Sequence, residues 1–232
     1  MQFHGFQKMT LLDFPGKVAC TLFTGGCNYR CPFCHNALLV TQIEGAGDYT
    51  DETVLAFLKK RVGLLDGVAI TGGEPLLQPE LPDFIRQVKA LGYAVKLDTN
   101  GSFSERLRAL LDEGLLDYVA MDIKNSKEKY AQTIGLAEYD LSAVEASVEI
   151  LKTSGIDYEF RTTVVDEYHS VEDIGAIGAW IAGAPHYFLQ GFTDSGNLIG
   201  DASVMHTATK EKMEQMRDAA ARFVPSTALR GV

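Results

Sequence analysis

Short apolar runs alternate with amphipathic segments along almost the whole chain, and this alternation limits the fold more than any other feature. Six runs, at 18–24, 67–71, 93–98, 117–123, 158–165 and 186–189, read as strands. They are brief and mostly apolar on both parities, as expected of strands buried on two faces of a parallel sheet. The segments between them carry helical spacing. Thr50 caps a helix running to about residue 62. The 80–91 segment puts Leu81, Phe84, Ile85, Val88 and Leu91 on one face and ends at Gly92. Ser104 opens a helix with Leu107, Leu110 and Leu111 inward, ending near Gly114, and Asp140 opens one burying Val144, Val148 and Leu151, stopped by Gly155. Ser170 precedes a helix carrying Ile174, Ile177 and Ile181; a last one near 209–223 buries Met213, Met216, Ala220 and Phe223.

Repeated β–α alternation implies parallel strands joined by right-handed crossovers. Six units in 232 residues fall short of a closed eight-unit barrel, which typically needs about 250. The expected fold is therefore α/β: an incomplete (β/α)6 TIM-like barrel of parallel strands, laterally open. An open doubly wound sheet is the other arrangement the pattern allows, and both bind ligands at the carboxyl ends of their strands. No repeat, low-complexity tract or linker divides the chain. It reads as one domain over 1–232, with a short N-terminal segment at 1–16, β–α units over about 17–223 and a C-terminal tail at 224–232.

A net charge of −10 argues against a nucleic-acid partner, which a basic stripe would announce. No apolar run reaches the ~18–20 residues that span a membrane. The first residues, MQFHGFQKMT, lack a basic-then-apolar leader pattern, so the expected compartment is the cytoplasm. All four cysteines, Cys20, Cys27, Cys31 and Cys34, lie within fifteen residues. That clustering points to metal or redox chemistry rather than a disulfide framework.

The sharpest signal is Cys27-Asn-Tyr-Arg-Cys31-Pro-Phe-Cys34, a C-x3-C-x2-C loop after the first of these strands. Three thiolates can each bind one iron of a [4Fe-4S] cluster, leaving the fourth iron open, as catalytic metal sites keep a vacant position. A zinc knuckle completed by Cys20 or His35 and a four-cysteine electron carrier using Cys20 are the structural alternatives. Cys20 alternates with Val18 and Leu22 and reads as a small core residue. Further polar clusters fall at the ends of successive strands: Gly72, Gly73 and Glu74, then Asp98, then Asp122 and Lys124. Gly72 and Gly73 allow close approach of a ligand to the backbone. Asp98 and Asp122 occupy equivalent positions on adjacent strands, where two carboxylates repel unless a cation or proton intervenes.

The cysteine loop resembles the signature of radical S-adenosylmethionine (SAM) enzymes. Cys34-His35-Asn36 narrows the resemblance to the activating enzymes of glycyl radical enzymes. Leu12-Asp-Phe-Pro-Gly16, Thr71-Gly-Gly-Glu-Pro75, Leu97-Asp-Thr-Asn-Gly101, Met121-Asp-Ile-Lys124 and Arg161-Thr-Thr-Val-Val165 are similar to successive motifs of that family. The likeness runs from the N-terminus to about Thr193 and is greatest to the short activators of anaerobic ribonucleoside-triphosphate reductase, whose closing motif Leu229-Arg-Gly-Val232 also fits.

The resemblance implies one [4Fe-4S] cluster on Cys27, Cys31 and Cys34. It implies reductive cleavage of SAM to methionine and a 5′-deoxyadenosyl radical, and hydrogen abstraction from a glycine Cα of a partner enzyme. A flavodoxin or ferredoxin would supply the electron. The amino end of SAM would lie at Gly72 and Gly73 with Glu74 nearby. Phe33 and His35 would face the adenine. Asp122, Ile123 and Lys124 would line SAM, Lys124 neutralising its carboxylate or ribose-side oxygens, and a monovalent cation would sit at Asp98 and Asp122. Asp13 and Arg161 are expected to pair across the cavity mouth, as a catalytic or a structural ion pair. The chain departs from the pyruvate formate-lyase activators at Thr193, where they carry a SAM-contacting histidine. An activase of another glycyl radical enzyme such as pyruvate formate-lyase, a radical SAM enzyme acting on a small molecule, such as a 7-carboxy-7-deazaguanine synthase, and a non-enzymatic iron–sulfur module are the competing functions.

Overall fold

A computed structural model describes residues 1–43, 45 and 47–231. Val232, which closes the C-terminal motif, lies outside the described residues. In chain order the strands are β1 (Gln2–Phe3), β2 (Gly5–Thr10), β3 (Ala19–Thr24), β4 (Tyr49–Thr50), β5 (Gly67–Gly72), β6 (Ala94–Thr99), β7 (Tyr118–Asp122), β8 (Asp157–Val164), β9 (Tyr187–Gly191) and β10 (Thr227–Arg230). The helices are α1 (Leu38–Thr41), α2 (Asp51–Lys59), α3 (Leu81–Ala90), α4 (Ser104–Asp112), α5 (Tyr130–Thr133), α6 (Ser142–Thr153), α7 (Val171–Trp180) and α8 (Lys210–Ala221).

Among the described residues eight strands form one sheet in the order β10-β9-β8-β7-β6-β5-β3-β2, and β1 pairs separately with β4. From β3 to β10 every pairing is parallel and follows chain order. This is the order of barrel staves rather than of a doubly wound sheet, which reverses at a switch point. Among the described residues nothing pairs β2 with β10, so the barrel is open on that side. The six expected strands are all present, within one or two residues of their expected ends.

Three expectations need correction. The 1–16 segment contains β2, which runs antiparallel to β3, so the sheet is not wholly parallel. The 224–232 stretch is no tail: Val224 is fully buried and β10 extends the sheet beside β9. Phe223 is 43% exposed, because α8 ends at Ala221 and the chain then turns, leaving Val224 to enter the core.

Three helix starts, those of α2, α7 and α8, have side-chain caps. The Thr50 hydroxyl accepts from the Thr53 N–H, Ser170 and Asp173 form a reciprocal capping box, and Thr209 accepts from the Lys212 N–H. After α3, Gly92 takes φ +89, a left-handed turn that ends the helix. The apolar faces expected of the helices are the buried ones: Leu81, Phe84, Ile85 and Val88 on α3; Val144, Val148 and Leu151 on α6; Ile174 and Ile177 on α7; Met213, Met216 and Ala220 on α8.

The two faces of the sheet differ in chemistry. One parity, including Cys20, Leu22, Val68, Ile70, Val95, Leu97, Val119 and Met121, joins the helices in the main core. The other parity carries Thr21 on β3, Lys96 and Asp98 on β6, Asp122 on β7 and Glu159 and Arg161 on β8. Register brings these together: Lys96 lies beside Tyr118, Ala120 beside Glu159 and Asp122 beside Arg161. The inner face thus carries charged groups beside a small apolar cluster of Phe14, Ala19, Tyr118 and Ala120, and its upper rim is where the candidate site lies.

Candidate active site

A cavity of about 930 Å³, counting its open mouth, occupies the carboxyl end of the sheet. Cys27, Cys31 and Cys34 form one wall, with Phe33, His35 and Asn36 beside them. The strand ends supply Thr71, Gly72 and Gly73 from β5, Asp98 and Thr99 from β6, Asp122 and Lys124 at β7, Arg161 and Thr163 from β8 and Gln190 from β9. Loops after β3, β5, β6 and β7 thus converge on one space, as a barrel rim requires.

The thiols are unpaired, and burial dominates their acidity. Cys31, 7% exposed, is pushed up to about 12; Cys27 and Cys34 are also raised by burial, with backbone N–H groups of Tyr29 and Asn36 opposing the shift. Metal ligation requires thiolates, so these groups need the charge of a metal to ionise. Among the described residues no three His, Cys, Asp or Glu side chains are grouped closely enough to share one ion. The three thiols instead border a roomy cavity, a donor set that fits a polynuclear iron–sulfur group. Cys20 is fully buried on the opposite, helix-facing side of β3, where burial raises it to about 12. It cannot complete either a zinc knuckle or a four-cysteine set without leaving its strand.

Gly72 and Gly73 line the cavity with backbone, but their lack of a Cβ serves a second purpose. A Cβ on Gly73 would stand 1.9 Å from the Gly26 carbonyl oxygen, and one on Gly72 (φ +116) 2.4 Å from the backbone N and O of Thr24. The β5 loop is pressed directly against the start of the cysteine loop, and the contact is sealed by Gly73 N–H to Thr24 O (3.0 Å) and Glu74 N–H to Gly26 O (2.7 Å). The Asn36 side chain adds a bond to the Gly72 carbonyl at 2.7 Å.

Glu74 does not face the cavity. It is fully buried, and its carboxylate accepts from the Thr99 hydroxyl (2.8 Å), the Asn100 N–H (2.7 Å) and the Leu76 N–H (3.0 Å). Burial lifts its pKa to about 7 against these donors. Glu74 thus ties the β5 loop to the β6 loop rather than touching a ligand. Ile123 is likewise fully buried in the main core and is absent from the cavity wall.

The two rim carboxylates are bridged by the protein itself. Arg161 donates through Nε to Asp122 (3.0 Å) and through a terminal nitrogen to Asp98 (3.1 Å). Lys124 donates to Asp122 at 2.9 Å, and Lys96 pairs with Asp98. Burial would raise the Asp122 carboxyl, but Lys124 and Arg161 hold it down to about 2. Burial opposes the Lys124 and Arg161 charges, yet Asp122, and for Arg161 also Asp98, keeps both above their ordinary values. The guanidinium stands where a monovalent cation was expected, for the expected reason: two facing carboxylates need positive charge between them.

The expected Asp13–Arg161 pair is not formed. Asp13 instead accepts from the Thr21 hydroxyl at 2.5 Å. Register explains this, since Arg161 is the direct neighbour of Asp122 across β7 and β8. Phe33, 3% exposed, lines the cavity and also packs on Tyr168 and His169, while the exposed His35 ring lies 6.0 Å from that of Phe192. Thr193 is exposed and off the wall; Gln190 stands at that end of β9 instead.

Sequence reasoning missed Asn100, Thr163, Gln190 and His169. Asn100 sat unread inside the Asp98–Gly101 motif. His169, 2% exposed, bonds through Nε2 to the Lys124 carbonyl (2.8 Å) and through Nδ1 to Val165, fixing the backbone that carries Lys124. It lies four residues past the Arg161–Val165 motif, and nothing in sequence shows that it reaches the Lys124 carbonyl, 45 residues away.

Comparison with known proteins adds to this geometry. The model of the radical SAM superfamily matches residues 21–180. A Methanocaldococcus jannaschii protein provisionally described as a glycyl-radical enzyme activating enzyme is 27% identical over 98% of this chain and 95% of its own length. The pyruvate formate-lyase-activating enzyme of Clostridium pasteurianum is 34% identical over 53% of this chain and 52% of that enzyme. Among solved structures, Streptococcus suis SuiB bound to its precursor peptide superposes with a TM-score of 0.72 at 11% identity, covering 91% of this chain and 48% of that one. At that identity the likeness speaks for the fold alone.

Proposed function

This chain belongs to the radical SAM superfamily, and on that premise we propose that it activates a glycyl radical enzyme, with anaerobic ribonucleoside-triphosphate reductase as its partner. One observation carries the reading: three thiols, a bare glycine backbone and a charged strand-end ladder share a single cavity at the carboxyl end of the parallel strands. The near full-length likeness to the archaeal activating-type protein supports it.

Cys27, Cys31 and Cys34 would hold a four-iron cluster, leaving one iron without a protein ligand. When bound, the cluster and SAM together supply a reducing electron and a primary carbon radical able to take a hydrogen atom from a glycine Cα. The chain's residues orient and enclose this chemistry. The backbone of Thr71–Gly73 receives the amino end of SAM. Lys124, fixed by Asp122 and by His169 at its carbonyl, presents a permanent cation to SAM oxygens. Arg161 holds Asp98 and Asp122 at fixed spacing, so the rim carboxylates need no rearrangement when the ligand enters. Phe33 and His35 flank the adenine. The unpaired side between β2 and β10 admits a glycine-bearing loop, which can enter a narrow space because it has no side chain. An electron carrier of the flavodoxin or ferredoxin type supplies the reductant.

The test is anaerobic incubation of the reconstituted protein with reductant, SAM and the reductase, followed by electron paramagnetic resonance. A doublet split by the remaining glycine α-hydrogen is expected on the reductase. A doublet only with pyruvate formate-lyase would keep the activity and change the partner. SAM cleavage with no glycyl radical on any such enzyme would instead favour a small-molecule substrate.

A further inference from the structure

The three cysteine sulfurs are not equivalent, and the difference traces to Asn100. Its side-chain amide is 3.8 Å from the Cys27 sulfur and 3.0 Å from Asn28 Oδ1. The orientation of this amide is set by its surroundings: the Ser102 backbone N–H, which can only donate, reaches Asn100 Oδ1 at 2.9 Å, and the Ser102 hydroxyl donates to the same oxygen at 2.5 Å. The NH2 group must then face Asn28 and Cys27, with one hydrogen for each. Asn28 is held in turn by its own donation to Ser102 Oγ at 2.9 Å. Behind this ring, buried Glu74 accepts the Asn100 backbone N–H at 2.7 Å and fixes the loop. Asn100 itself is 6% exposed.

The Cys27 sulfur therefore receives two N–H donors, from Asn100 and from the Tyr29 backbone at 3.4 Å. No side chain donates to the Cys34 sulfur among the described residues, where the Asn36 backbone only opposes the effect of burial. Cys31 has no such donor among the described residues. Hydrogen bonds to cluster sulfurs stabilise the more negative, reduced form and so raise the reduction potential. We infer that Asn100 is a positioning residue whose amide, locked by Asn28, Ser102 and Glu74, donates to the Cys27 sulfur and sets the potential of the cluster. The effect falls on the one thiolate of the three that the loop after β6 reaches.

This inference rests on the cluster assignment, and the experiment separates the two. Wild type, Asn100→Leu and Asn28→Ala are reconstituted anaerobically, and reduction of the cluster is followed by electron paramagnetic resonance against applied potential. Asn100→Leu keeps the approximate size and removes the donor; its reduced-to-oxidised ratio at fixed potential should fall several-fold, a tenfold fall being about 59 mV for a one-electron couple. Asn28→Ala, which frees the amide without deleting it, should lower the ratio less. Wild-type ratios in both variants would overturn the inference. If Asn100→Leu takes up no cluster, Asn28→Ala decides alone: a lowered ratio supports the inference and an unchanged one overturns it. A wild-type chain that takes up no four-iron cluster would overturn the activating-enzyme reading and this inference with it.

Discussion

Raising the pH through neutrality should cost the wild-type chain stability that Glu74→Gln does not lose. Glu74 has three N–H or O–H donors and, among the described residues, no cationic partner. Burial outweighs the donors, and its pKa rises from 4.5 to about 7. A carboxyl with a higher value folded than unfolded holds its proton more tightly in the folded chain. The added stability is complete below about 4.5, declines as pH rises and is gone above about 7. That gap, at about 1.4 kcal/mol per pH unit, is worth about 3 kcal/mol. Urea unfolding of both chains, under reductant and from pH 4.5 to 8.5, measures it as the difference between their stabilities. Groups such as His169 and Asp122 titrate in both chains and cancel. The variant carries a separate, pH-independent penalty of about 1–3 kcal/mol, because an amide offers one acceptor oxygen where the carboxylate offered two. The wild-type advantage should shrink by about 3 kcal/mol across the window. Parallel profiles would refute the reasoning, since they would mean Glu74 keeps one protonation state throughout.

Gly73→Ala should destabilise the chain by about 2–3 kcal/mol in denaturant melts, because the new Cβ meets backbone rather than a movable side chain; a loss under 0.5 kcal/mol would show that the β5 loop yields freely. Arg161→Gln should lower stability by about 3 kcal/mol and weaken SAM binding in calorimetric titration, with Arg161→Lys failing to restore either, since one ammonium cannot span both carboxylates as a guanidinium fork does. In the same series, the contribution of Asp122 is present above about 3.8 and is lost as pH falls through about 2, so acid unfolding of Arg161→Gln should begin at higher pH than in wild type. Arg230→Ala leaves Glu159, 2% exposed, with the Tyr118 hydroxyl as its one hydrogen-bond partner among the described residues, and should lower the melting temperature; adding Glu159→Gln should recover part of the loss.

The sequence by itself determined the six central strands, the six long helices, their order and the rim, but not the edge strands β2 and β10. Strand and helix periodicity, caps such as Thr50 and Ser170 and the glycine stop at Gly92 are local signals, legible wherever a residue's neighbours in sequence are also its neighbours in space. The C-x3-C-x2-C spacing is local in the same sense, and its three thiols do share the cavity. The polar inner parity was also written there: Asp98, Asp122 and Arg161 are legible as rim charges, whereas Lys96 and Glu159 are hidden inside otherwise apolar strands.

Tertiary structure decided which partners those residues take. Arg161 lies 63 residues from Asp98 and 39 from Asp122 along the chain, and only parallel register between β6, β7 and β8 makes the three neighbours, leaving Asp13 to Thr21. Gly73 reads as a ligand contact until the fold brings Gly26 against it. Glu74 reads as one until it is buried under Thr99 and Asn100, and Asn100 has no visible role until Cys27 arrives from 73 residues away. A sequence motif shows which groups the chain can offer, whereas orientation comes from packing between strands and loops distant in sequence, because hydrogen bonds and ion pairs depend on distance and angle rather than on order along the chain.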